Sequence, residues 1–170
     1  MRTVTMYFIF IANFILQSTV LRNLAILDVK PNTALVLVVC FSFLRSDLEG
    51  CFMGLFAGFL QDVFYARFIG YNMLMYAMIG FLCGKPFKDY FRENYLFAIV
   101  LTAVSSFAYE FITYVTHFML FGKINTFFYF YRIILPSTVY TLIMVFPLYF
   151  LALIINAKLE KREDNYMRKI

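Results

Sequence analysis

Charge is scarce in this sequence. Of its 170 residues, 15% are Asp, Glu, Lys or Arg, against about 25% in an average soluble domain. Too few polar groups remain to clothe a water-facing core. Hydrophobic residues fill the gap at 63%, with a mean hydropathy of +0.78. Lipid solvates apolar faces where water does not, so the composition excludes an ordinary soluble domain and points to a polytopic membrane protein. Histidine is represented only by His117, and cysteine by Cys40, Cys51 and Cys83, with no Cys-x-x-Cys pair. That excludes a disulfide framework and a zinc site, and no cofactor is called for. The phosphate-cradling glycine loop, the His-Glu-x-x-His helix and the Gly-x-Ser-x-Gly elbow are all missing, so no nucleophile is paired with a base. An enzyme is not expected. No basic domain exists to bind nucleic acid, and the net charge of +5 fits the excess of Lys and Arg in cytoplasmic loops.

What is present is a series of apolar runs. They cover Val4–Val20, Thr33–Leu44, Cys51–Tyr65, Phe68–Cys83, Tyr95–Phe121 and Ile133–Asn156. A span takes about 20 residues, so the expected fold is all-α: about six transmembrane helices in one bundle, with residues 1–157 as a single domain and 158–170 as a charged cytoplasmic tail. The first run imitates a signal peptide behind Arg2, but no Ala-x-Ala-like site follows, so it reads as an uncleaved helix. Runs two to four are short for a hydrocarbon core of about 30 Å. They extend into flanking polar residues or sit within the bundle, or the second and third form a re-entrant hairpin with Arg45–Glu49 at its tip. Six spans place Arg2, Arg45, Lys85, Lys88, Arg92 and the five tail cations on one side. Arg22, Lys30, Arg67, Lys123 and Arg132 fall on the other. The larger group belongs in the cytoplasm, with both termini.

Three clusters are candidate sites. Gly50, Gly54, Gly58 and Asp62 recur every fourth residue and form one ridge on a helix, since successive members rotate only about 40°. Small residues at this spacing admit a second helix closely, so the ridge is a helix-packing or partner face. Gly80 and Gly84 repeat the spacing, and Asn13 and Gln17 form a polar pair. In the fifth run Thr102, Ser106, Glu110, Thr113, Tyr114 and His117 share one face. A carboxylate at membrane depth is costly and needs a reason: a ligand or proton site, or a polar seam to neighbouring helices. The second is favoured, because no basic partner stands on the same helix. Arg45, Asp47 and Glu49 mark a cytoplasmic turn, either as a solvated loop or as a lock or partner contact. Lys85, Lys88, Arg92 and the tail suit anionic lipid heads.

The middle of the chain resembles the bacterial rod shape-determining protein MreD. The segments that carry the likeness are LQST at Leu16–Thr19, KPN at Lys30–Asn32, LRSDLEG at Leu44–Gly50, GLFAGFLQD at Gly54–Asp62, GYNMLMY at Gly70–Tyr76 and the glycine-ended Gly80–Gly84. The resemblance implies a scaffold without catalytic residues in the inner membrane. Its partners would be MreC and, indirectly, RodA, a class B penicillin-binding protein and MreB filaments, with a second copy of the chain as a further candidate. It also implies a fold like the substrate-binding subunits of energy-coupling-factor vitamin transporters. A small-molecule-binding subunit of that kind is the alternative function, although the first helix lacks their Ala-x-x-x-Ala pattern. A proton pathway through Glu110 is weaker, since one acid is too few for a relay.

Overall fold

A computed structural model describes residues 2–23, 31–65, 69–84, 95–121 and 130–167. Among them are six α-helices and no strand: α1 (Arg2–Asn23), α2 (Thr33–Leu44), α3 (Asp47–Tyr65), α4 (Tyr71–Gly84), α5 (Tyr95–Phe121) and α6 (Leu135–Met167). A π-helical turn, Phe130–Ile134, opens α6.

α2 sits at the centre. All twelve of its residues are buried, and α1, α3, α4, α5 and α6 all pack on it. Its sequence explains the position: TALVLVVCFSFL has no charge and no polar face, and a helix apolar on every side belongs in an interior. Burial also accounts for its length. At about 18 Å, α2 need not match the hydrocarbon thickness, because protein surrounds it. Asn32 caps its start by accepting from the Leu35 N–H at 3.1 Å. The Arg45 N–H closes its end on the carbonyls of Phe41 and Ser42.

The other helices ring this axis. α1 packs on α3 through Tyr7–Phe56 and Phe14–Phe64, with centroids 4.6 and 5.0 Å apart, and Gln17 meets Gln61 at 3.1 Å. Among the described residues α3 and α4 make the most extensive helix pair. Phe10–Phe41 and Phe43–Phe97 tie α1 and α5 to the centre.

Helix boundaries depart from the apolar runs at α3 and α6. α3 starts at Asp47 rather than Cys51, so Asp47 and Glu49 lie in its first turn and only Arg45–Ser46 join it to α2. α6 continues to Met167, so the charged stretch expected as a tail is helical as far as that residue. Among the described residues, two apolar segments are long enough to cross a membrane, Leu96–Thr116 and Leu135–Leu159, while the described parts Val4–Thr19, Thr33–Leu44 and Tyr71–Gly84 are shorter, so six spans are not shown.

Candidate functional site: a glycine-packed hairpin and a polar layer

The glycine ridge is used inside the chain. A Cβ built on Gly54 would strike the backbone of Tyr76 and Ala77, and one on Gly58 the backbone of Met73 and Asn72. Gly50 faces Ser42 and Gly80, and Gly84 faces Asp47. Glycines on both helices therefore let the α3 and α4 backbones touch. This corrects the partner-face expectation for Gly50, Gly54 and Gly58: α4 covers them, leaving no room for a second protein. The Ser42 hydroxyl adds α2 to the contact by donating to the Gly80 carbonyl.

Asp62 ends the ridge by capping α4. Its carboxylate, 1% exposed, accepts from the backbone N–H groups of Gly70 (2.9 Å), Met73 (3.0 Å) and Asn72 (3.1 Å). These donors have no helical partner of their own, and the positive end of the helix dipole favours an anion there. Gly70 has φ +107° and open space beside it. An alanine here is strained by conformation alone, so Gly70→Ala should cost about 1 kcal/mol, read as a small drop in melting temperature.

From Asp62 a polar layer crosses this end of the bundle. The Tyr109 hydroxyl donates to Asn72 at 2.6 Å, and Tyr71 donates to Thr113 at 3.2 Å. Tyr76 stacks obliquely on Tyr109, with centroids 5.4 Å apart, and donates to Asn32 at 2.8 Å. The Asn32 N–H donates to Thr141 of α6 at 3.1 Å. Ser137 of α6 donates to Glu110 at 2.6 Å. The layer thus sews α2, α3, α4, α5 and α6 together with side chains that mostly satisfy one another.

A family model described as rod shape-determining protein MreD matches residues 1–155. The chain belongs to the MreD family. That family consists of membrane proteins and acts in rod-shape determination. No curated protein and no solved structure matches the chain, so the expected likeness to vitamin-transporter subunits gains no support there.

In this MreD chain the α5 stripe divides. Thr102 turns back on the Ala98 carbonyl at 2.8 Å, Ser106 is buried, and Glu110 and Thr113 bond to α6 and α4. Tyr114 is half-buried, and the side chain of His117 lies outside the described residues, as do Lys85, Lys88 and Arg92. At the opposite end of the bundle, Arg45 is buried and meets Glu49 at 3.4 Å, while Ser46 accepts from the Glu49 N–H at 3.3 Å. Asp47 lies beside Gly84, so this turn locks the same hairpin from below. Asn32, Asn72, Tyr76, Tyr109, Ser137 and Thr141 were not anticipated. Only Asn32 carried a local sign, as a capping residue type directly before an apolar run.

The geometry gives Glu110 a separable test. A glutamine retains an oxygen to accept from Ser137, so Glu110→Gln should change stability by about 1 kcal/mol or less and leave cell-shape activity intact. Loss of activity by a variant that melts normally would instead mark Glu110 as a ligand or proton site.

Proposed function

We propose that this MreD-family chain is a membrane scaffold of the bacterial cell-elongation complex. In this reading six helices form one bundle in the inner membrane, with both termini cytoplasmic and the Asp62–Ser137 polar layer toward the outer face. The bundle binds an MreC-like single-span partner and, through it, helps position RodA and its class B penicillin-binding transpeptidase near MreB filaments.

The family match over residues 1–155 carries this reading. The interior supports it. The glycine ridge and the polar layer are spent on internal cohesion, as suits a rigid part whose outward faces do the work. Those faces are strongly apolar, with Phe52, Phe59 and Phe64 of α3, Val100 and Val104 of α5, and Ile143 and Phe146 of α6 exposed. Lipid or other membrane helices must cover them.

Two measurements test the proposal. Expressed in a rod-shaped bacterium depleted of its own MreD, the chain should restore rod shape where an empty vector leaves round cells. Affinity purification from those membranes should recover the MreC-like partner in near-equal amount. Rounded cells together with absence of that partner, despite normal expression, would sink the proposal.

A further inference from the structure

α6 carries a gap in its own hydrogen-bond ladder. The helix runs unbroken through Pro147, and proline has no N–H to donate. In an α-helix that N–H serves the carbonyl four residues back, here Ile143. The proline ring also presses on that carbonyl and opens the helix beside it. Pro147 stands at the middle of the apolar segment Leu135–Leu159. At that depth hydrocarbon offers no donor in place of the missing one, and an unpaired backbone group is costly.

The helices of this chain do not repair the gap. α6 packs inward through Ser137, Thr141, Val145, Tyr149, Ala152 and Asn156, all buried, and Thr141 meets the Asn32 N–H at the start of α2. Pro147 is two residues from both Val145 and Tyr149, a rotation of about 200°, and it is exposed. Val139, Ile143, Phe146, Phe150 and Ile154 share its outward face, all exposed. None of these side chains is a donor. On the flanking helix α5 the exposed Val100, Val104, Phe107 and Phe111 are not donors either. Membrane helices tolerate an interior proline where a neighbouring helix or a hydroxyl side chain takes up the freed carbonyl. Among the described residues, neither stands on this face.

That narrows what covers it. Acyl chains fill the space beside Ile143, Phe146 and Phe150 but bring no donor. A second copy meeting through the same row brings the same donor-free surface, since an isologous contact sets like against like. A different transmembrane helix, with Ser, Thr or another donor side chain at mid-depth, meets both demands. It packs on the aromatic row and hydrogen-bonds the carbonyl. We propose that the Ile143–Phe150 face of α6 seats the single-span partner, and that the Ile143 carbonyl freed by Pro147 accepts a hydrogen bond from a side chain of that helix. This rests on the scaffold reading above.

The test uses Pro147→Ala in the full-length chain, which returns an N–H to the Ile143 carbonyl and takes the acceptor from the partner. Purified in detergent, this variant should melt no lower than the parent, because alanine suits a helix interior and proline does not. Recovery of the MreC-like partner from membranes, identified by mass, should nevertheless fall by about three- to tenfold. Phe146→Ala removes packing surface and should also lower recovery, whereas Met78→Ala at an exposed position of α4 should not. A photo-crosslinking amino acid in place of Phe150, in the chain that keeps Pro147, should join it to the same partner; this readout does not depend on how Pro147→Ala folds. Undiminished recovery with Pro147→Ala overturns the proposal, as does an equal loss with Met78→Ala. A Phe150 crosslink to a second copy, or to lipid alone, also overturns it. If the parent recovers no such partner, the scaffold reading itself fails and takes this proposal with it.

Discussion

Gly54→Ala and Gly58→Ala should each unfold or severely destabilise the α3–α4 hairpin, and with it the protein. A single methyl suffices because of what it meets. At Gly54 the new carbon falls on the Tyr76 carbonyl group and the Ala77 nitrogen, and at Gly58 on Met73 Cα and the Asn72 carbonyl oxygen. These are backbone atoms of a regular helix, with no rotamer to change, so the two helices must separate along their length. Separation would loosen the largest helix–helix contact among the described residues and pull Asp62 from the start of α4. Overpacking in a well-filled interior costs about 1–3 kcal/mol, sometimes more. A rigid backbone partner puts these sites at or above the upper end, and leucine should be worse than alanine. The measurement is thermal unfolding of the purified chain in detergent, with the yield of folded protein from membranes. Gly70→Ala is the control: it has space but an unfavourable φ, and should lose much less. A Gly54→Ala variant melting within a few degrees of the parent would show that α3 and α4 do not touch there.

The glycine positions illustrate what the sequence made legible. Four-residue spacing revealed a close-packing face, because any helix puts such residues in one row. What lies on that face depends on how two helices meet, and spacing along one of them does not encode it. Gly80 and Gly84 were the available clue, since a complementary glycine pair on the next helix is what a backbone contact requires. The central place of α2 is likewise present in TALVLVVCFSFL, whose lack of a polar side selects the buried position among the three that its shortness left open. Ser46-Asp47-Leu48-Glu49 has the form of a capping box, yet the charges drew it toward a loop. The structure starts α3 there, with Ser46 on the Glu49 N–H. The polar layer was the least legible part. Asn72 and Tyr76, Tyr109, and Ser137 lie in three different apolar runs, and only the fold makes those runs neighbours. Glu110 stood out because a carboxylate is rare at membrane depth. Its partner Ser137 did not, because one hydroxyl in a membrane helix is unremarked.

Asp62→Ala is the second substitution expected to have a large effect, and it separates two roles that the ridge motif left joined. A carboxylate following three glycines at the same interval could serve a partner or an ion, or it could hold the fold. In the structure both oxygens are committed, Oδ2 to the N–H groups of Gly70 and Met73 and Oδ1 to that of Asn72. Alanine leaves three half-buried donors without this acceptor at the positive end of α4. An unsatisfied buried donor costs about 1–3 kcal/mol; these three are half-buried and share one site, so the total should be about 2–4 kcal/mol rather than their full sum. Asparagine preserves shape and one acceptor oxygen but removes the charge and turns an amide toward the donors. It should fall between parent and alanine, losing about 1–2 kcal/mol. The expected melting order is therefore parent, then Asp62→Asn, then Asp62→Ala, with cell-shape activity following folded protein level at each step. A residue serving a partner would behave differently: Asp62→Asn would keep the parent's melting temperature and still fail to recover the MreC-like chain. That outcome would remove Asp62 from the structural cap and return the end of the ridge to the binding surface.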